Sequence, residues 1–140
     1  MPLVLDASVA MRWLAYDGSD ADKDYAKHIL KSIIGKDDMP NVPSHWTLEI
    51  AHVLSRSEKR GLVTFDETAY FLNLLSSIKF ITDHNTTTLA LTSILELSRL
   101  YGLSSYDAAY LELAMRLALP LATLDKDLRR AAEKAGVALA

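Results

Sequence analysis

The sequence contains no cysteine. That removes disulfides, zinc ribbons, iron–sulfur clusters and thiol nucleophiles together, and it fits a reducing compartment. Glycine is scarce: the five positions are Gly18, Gly35, Gly61, Gly102 and Gly136, no two of them close together. Neither a dinucleotide fingerprint nor a P-loop can be built from them. The four histidines, His28, His45, His52 and His84, form no His-Glu-x-x-His pair, so a zincin is excluded. There is no Gly-x-Ser-x-Gly nucleophile elbow. Asp6-Ala7-Ser8 lacks the second aspartate, two positions on, that an aspartyl-phosphate phosphatase needs. No apolar run approaches the ~20 residues of a membrane helix. The stretch from Met1 to Asp6 has no basic segment ahead of its apolar one. The expectation is therefore a cytoplasmic protein with no membrane contact. Lys and Arg total 15 against 18 Asp and Glu, a net charge of −3. A broad basic face is missing, which argues against a non-specific DNA coater. It leaves room for an enzyme that meets phosphates through metal ions.

What is present is ordinary for a folded domain. At roughly 100–200 residues per domain, a chain of 140 residues makes one domain, spanning 1–140. Half the residues are hydrophobic and 24% are charged. A chain of this size buries about two-thirds of its unfolded surface, enough for one core. Leu3 to Leu5 reads as a buried strand closed by Asp6, and Ala7 to Ala15 as a helix with Ser8 at its cap. Asp17 to Asp24 reads as a loop, and Tyr25 to Ile34 as a helix stopped by Gly35, followed by a turn at Lys36 to Asp38. Pro40 and Pro43 bracket an extended piece. Ser44 then caps a helix that ends at Gly61, the expected C′ residue. Thr64 to Glu67 is a capping box. Lys79 to Thr82 reads as a strand ending at Asp83, and Thr86 to Tyr101 as a helix stopped by Gly102. A helix capped by Ser104 or Ser105 runs to about Leu117. It is followed by a strand over 120–124, a helix over 126–135 stopped by Gly136, and a short strand over 137–139. Strands alternating with helices imply an α/β fold with a mostly parallel sheet covered on both faces.

The exclusions leave the carboxylates. In an open parallel sheet, ligands bind beyond the carboxyl ends of the strands. Asp6 ends the first strand, and Asp125 follows the apolar run Leu121 to Leu124. Each also has the plainer reading of a helix N-cap after a strand. Asp107 shares a helix face with Tyr110, Leu111 and Ala114. Glu112 and Arg116 form an i,i+4 pair expected on the opposite, wet face, so Asp107 should point inward. Capping by Ser104 accounts for its residue type but not for that aim. Glu49 borders the apolar stripe of Trp46, Ile50, Val53 and Leu54. Asp83 also ends a strand and precedes a helix, and spacing alone does not rank it below Asp125.

Together these segments resemble the PIN domain family and, within it, the VapC-like ribonuclease toxins of toxin–antitoxin pairs. The residues that carry the resemblance are Leu5-Asp6-Ala7-Ser8 and the run from Glu49 to Leu54. They continue with Ser104-Ser-Tyr-Asp107-Ala-Ala-Tyr-Leu111-Glu-Leu-Ala114 and then the stretch from Leu121 through Thr123 and Asp125 to Leu128. The resemblance spans nearly the whole chain. Its specific part is the S-x-x-D-A-x-Y-L-x-x-A segment followed by T-x-D. It implies a three-layer α/β/α sandwich with a central parallel sheet. It also implies that Asp6, Glu49, Asp107 and Asp125 bind Mg²⁺ or Mn²⁺, with Ser8 and Thr123 assisting and Asp127 as an alternative fourth acid. Such an ion activates water and orients a phosphodiester without a protein nucleophile.

The activity so implied is metal-dependent endoribonuclease action on RNA. The implied partners are a cognate antitoxin and a second copy of the chain in a homodimer. A housekeeping PIN nuclease and a non-catalytic PIN-fold binding module are the alternatives. Arg12, on the helix after Asp6, is a candidate contact for a substrate phosphate or an antitoxin carboxylate. Lys126, Arg129 and Arg130 are further candidates, against the plainer reading of a solvated helix face. Trp13, Trp46, Tyr106 and Tyr110 are expected in the core.

Overall fold

The computed structural model describes residues 2–14, 18–36 and 38–140. A parallel sheet lies at its centre. Strands β1 (Val4–Leu5), β2 (Asn41–Pro43), β3 (Ile81–Asp83) and β4 (Leu121–Ala122) are ordered β3-β2-β1-β4. Every pairing is parallel, with Val4 opposite both Asn41 and Leu121. Val4, Leu5, Val42, Leu121 and Ala122 are all buried, as expected of strands covered on both faces. The helices complete the α/β/α sandwich. The expected last strand is reduced to one bridge between Leu121 and Leu139.

Helices α1 (Ala7–Met11), α2 (Asp20–Lys36), α3 (Trp46–Lys59) and α4 (Phe65–Ser76) precede β3 or separate the first strands. After β3 come α5 (Thr86–Leu89), a π-helical turn (Ala90–Ile94), α6 (Leu95–Tyr101) and α7 (Ser105–Leu117). Helix α8 (Lys126–Ala135) follows β4. The capping box at Thr64 and Glu67 forms as expected, with both reciprocal bonds at 3.1 Å. Gly102 and Gly136 stop their helices in the left-handed conformation, at φ 66° and 76°.

Several expected boundaries shift for identifiable reasons. Helix α2 begins inside the expected loop because Ser19 Oγ accepts the Asp22 N–H at 3.1 Å. Asp20 and Asp22 also suit the positive end of a helix. It runs through Gly35, which keeps a helical backbone and does not stop it. Helix α1 ends at Met11, so the expected extension to Leu14 is a turn; Ala15, the start of the expected loop at Asp17, and Asp37 lie outside the described residues. Gly18, at φ +94°, admits the Arg12 side chain to within 2.9 Å of where a Cβ would stand. Ser44 does not cap α3: His45 holds that position without a side-chain bond, and the Ser44 N–H goes to Thr86 Oγ1.

The largest correction concerns α7. Every residue from Ala108 to Ala114 is buried, Glu112 included. The helix lies across β2, β1 and β4 and is flanked by α6, the π-helical turn and α8. Over that central stretch the helix is enclosed on all sides, so Glu112 marks no wet face, and of the pair only Arg116, at the exposed last turn, reaches solvent. Instead Arg116 donates to Glu112 at 2.8 Å and forks onto Asp83 at 2.8 and 3.2 Å.

Candidate active site

The order β3-β2-β1-β4 places a topological switch between β1 and β4, because the chain builds outward from β1 in both directions. Ligand crevices in open α/β sheets lie at the carboxyl ends of such strands. Asp6 stands there at the end of β1, 3% exposed, with its N–H bonded to the Ala122 carbonyl of β4 at 3.0 Å. It occupies the N-cap position of α1 yet makes no side-chain capping bond. Its Oδ2 accepts from Ser8 Oγ at 2.7 Å and from Thr123 Oγ1 at 2.6 Å. Ser8 is therefore a partner of Asp6, not the cap of α1.

Those two hydroxyls lock the turn after β4. Ser8 Oγ accepts the Leu124 N–H, and Thr123 Oγ1 accepts the Asp125 N–H, both at 3.1 Å. Asp125 Oδ1 accepts the Leu128 N–H at 2.8 Å and so caps α8. For Asp125 the capping role and a place in the acid group coexist. From the far side, Arg129 donates to the Thr123 carbonyl at 2.7 Å, and its guanidinium lies 5.4 Å from the centre of the Tyr25 ring. Arg129 is thus committed to holding this turn, which corrects its reading as a solvated or phosphate-facing residue.

Asp107 enters from the first turn of α7. Ser104 caps that helix through the Asp107 N–H at 3.1 Å. The Asp107 carboxyl is pushed up to about 6, first by burial and then by the charges of Asp6, Asp125 and Glu49. Burial also raises the Asp6 carboxyl; the Thr123 and Ser8 hydroxyls pull it back, and Glu49 adds to the rise. The acids implied by sequence therefore share one field, although they come from β1, α3, α7 and the β4–α8 turn. Asp127 lies outside it, exposed and paired with Arg130 at 3.4 Å. Arg12 is half-buried against Gly18 and does not project freely.

Glu49 has two partners whose contact with it the sequence did not show. Tyr110, wholly buried, donates its hydroxyl to Glu49 Oε1 at 3.1 Å. His45 Nε2 lies 2.7 Å from the same oxygen, close enough to pair but out of line for a hydrogen bond. Helical spacing could have signalled His45, four residues before Glu49, but Tyr110 meets Glu49 only through the packing of α7 near α3. Trp46 is in the core as expected, against Phe80. Trp13 is half-buried, donating to the Ala26 carbonyl. Tyr106, also expected in the core, is instead 63% exposed.

The donor set suits a hard divalent cation. It offers carboxylate oxygens, and the Asp107 carboxyl is raised by burial and by the charges of Asp6, Asp125 and Glu49, which a bound cation would offset. Among the described residues no group of three or more His, Asp or Glu side chains is arranged to hold a metal ion. Mg²⁺ does not need one, because it keeps several waters and takes one or two carboxylates. Asp6, Glu49, Asp107 and Asp125 are the residues that would hold it.

Comparison with known proteins agrees with this architecture. A search among curated proteins finds no match. Among solved structures, PAE2754 from Pyrobaculum aerophilum superposes with a TM-score of 0.67 at 23% identity, over 94% of this chain and 79% of that one. VapBC2 from Rickettsia felis, bound to a DNA fragment from its promoter, gives 0.65 at 17% identity, over 100% and 98%. FitAcB from Neisseria gonorrhoeae gives 0.60 at 18% identity, over 99% and 96%. At these identities the likeness is one of fold. The sequence profile of the PIN domain matches residues 3–134, nearly the whole length, and the chain belongs to the PIN domain family.

Proposed function

We propose that this protein is a Mg²⁺- or Mn²⁺-dependent endoribonuclease and the toxin of a VapBC-type toxin–antitoxin pair, acting in the cytoplasm as a homodimer. The observation that carries the reading is the shared field of Asp6, Glu49, Asp107 and Asp125 at the β1/β4 switch point. Two of the similar folds, VapBC2 and FitAcB, carry toxin–antitoxin names, which supports an antitoxin partner. No helix among the described residues is long and apolar enough to cross a membrane.

The chain's own residues have separable tasks. Asp6 is held at one oxygen by Ser8 and Thr123, so its orientation is fixed before substrate arrives. Asp107, raised to about 6 by burial and the neighbouring acids while no ion is bound, is an acid whose charge a bound cation would stabilise. Glu49 is steadied by the Tyr110 hydroxyl. When bound, a divalent ion supplies water activation and charge stabilisation at the phosphodiester.

The test is cleavage of a panel of tRNA, rRNA fragments and single-stranded oligonucleotides by purified, antitoxin-free protein. Cleavage should require Mg²⁺ or Mn²⁺, stop with EDTA, and vanish in Asp6→Asn and Asp107→Asn proteins that remain folded by circular dichroism. Cleavage that survives both EDTA and the two substitutions would overturn the assignment. So would the absence of cleavage on every substrate.

A further inference from the structure

Tyr106 immediately precedes Asp107, yet its ring is out in solvent. It is not loose. The ring packs edge-on to His45 with centroids 5.6 Å apart at 61°. His45 in turn packs edge-on to Tyr110 at 5.3 Å and 72°. The buttress thus runs from the buried Tyr110 through His45 to Tyr106. Successive residues on a helix diverge by about 100°, so Tyr106 flanks the acid group and does not fill it.

Electrostatics leave such a ring a specific task. The acid group beside it is negative, and the chain as a whole carries −3. Of the cations near it, Arg129 is held by Thr123 and Arg116 by Glu112 and Asp83, while Arg130 and Lys126 are exposed and Arg130 pairs loosely with Asp127 at 3.4 Å. An RNA strand held here through its phosphates alone is held without regard to its bases. A contact with the bases themselves ignores charge, and a fixed aromatic face provides one by stacking an unpaired base.

We propose that Tyr106, braced by His45, is the stacking platform for an unpaired base of the RNA next to the phosphate that the acids attack. This rests on the nuclease reading above and adds a specificity-determining residue to it. The same exposed ring would also fit a protein partner, but its place beside the acids and its aromatic bracing favour a base.

The experiment separates the two levels. A short single-stranded RNA carrying 2-aminopurine is titrated with wild type, Tyr106→Trp, Tyr106→Leu and Tyr106→Ala, in EDTA and again in Ca²⁺. Stacking quenches the fluorescent base, and this readout does not depend on cleavage. Wild type and Tyr106→Trp should quench. Tyr106→Leu keeps apolar bulk without a π face, and it should not quench. Tyr106→Ala should bind roughly 5- to 150-fold more weakly, the range spanned by one base on one aromatic ring. The difference should persist as salt is raised. The same sequence presented as a duplex should show no dependence on Tyr106. Equal quenching by Tyr106→Leu overturns the proposal, as does failure of wild type to bind the strand in either buffer. A Tyr106→Ala defect confined to protein association, with RNA binding intact, assigns the ring to a protein interface and overturns it too. If metal-dependent cleavage fails while the quenching pattern holds, only the nuclease reading falls.

Discussion

Arg116 ties Asp83 to Glu112, with Nη2 2.8 Å from Asp83 Oδ2 and Nε 2.8 Å from Glu112 Oε2. Glu112 is 6% exposed and belongs to a helix buried along most of its length, so Arg116 is what makes its charge tolerable there. The hydrogen bonds to Glu112 and Asp83 raise the Arg116 guanidinium above its ordinary value. Asp83 is thereby accounted for. It ends a strand on the same sheet edge as Asp6, but it is a member of an ion-paired network.

This network separates Asp83 from the candidate site by experiment. Asp83→Asn should keep cleavage near the wild-type rate, because Asp83 lies outside the charges that act on Asp107. Arg116→Met should lower stability by on the order of 3 kcal/mol, since removing one partner strands a buried charge. The double variant Arg116→Met with Glu112→Gln should recover part of that loss. Chemical denaturation reads the stability, and the RNA panel reads the activity. An Asp83→Asn protein as inactive as Asp107→Asn would show that the wrong strand-end acid was chosen.

Much of this arrangement was legible in the sequence, for physical reasons that also explain what was not. Thr64 with Glu67, Ser104, and the glycines at 102 and 136 act through bonds within a few residues, and each terminus falls where they put it. Asp6 and Asp125 could be placed near each other because strand ends in a parallel sheet meet at one edge, whereas Asp107 was suggested by its helix face and Glu49 by the family resemblance. Periodicity failed at α7, where burial on every side erases the contrast between faces. It failed again at Arg129, whose partners, Thr123 and Tyr25, are joined to it only by the fold. Tyr106 was misplaced for a related reason: an aromatic residue beside core alanines looks buried until the neighbouring helix shows which way it turns.

Thr123 offers a test of orientation as distinct from charge. The residue is wholly buried, and its hydroxyl both donates to Asp6 and accepts the Asp125 N–H. Thr123→Val keeps the shape and removes both bonds. Stability should fall by about 1–3 kcal/mol, the cost of leaving buried polar groups unpaired. Metal affinity or cleavage should fall by roughly 10- to 100-fold, as is usual when a partner that orients a metal ligand is lost. Thr123→Ser should restore most of both. Isothermal titration with Mn²⁺ and the cleavage assay measure the second effect. Wild-type behaviour in Thr123→Val would mean that Asp6 needs no orienting partner.

The shared field of the acids also makes a prediction about stability that needs no substrate. An unfolded aspartate titrates near about 3.9, whereas burial and the neighbouring acids push Asp107 up to about 6. The folded chain thus holds this proton more tightly than the unfolded chain. The stabilisation it brings is complete below about pH 4 and is lost as pH rises through about 6. Metal-free wild type should therefore weaken between those values, and Asp107→Asn should be spared that loss. Removing a carboxylate from the first turn of a helix works the other way, costing about 0.3–1 kcal/mol. A tenfold change in proton affinity is worth about 1.4 kcal/mol. Even discounted for solvent screening at this half-buried group, burial together with the neighbouring charges is the larger effect. In EDTA at pH 7.5, Asp107→Asn should melt above wild type, with the gap closing towards pH 4. Mn²⁺ at about 100 times its dissociation constant should stabilise wild type by roughly 2.7 kcal/mol, and Asp107→Asn by less. Thermal melts of both proteins at pH 4, 6 and 7.5, with and without Mn²⁺, decide the matter. A mutant less stable than wild type in EDTA at pH 7.5, with an unchanged response to Mn²⁺, would remove Asp107 from the acid group.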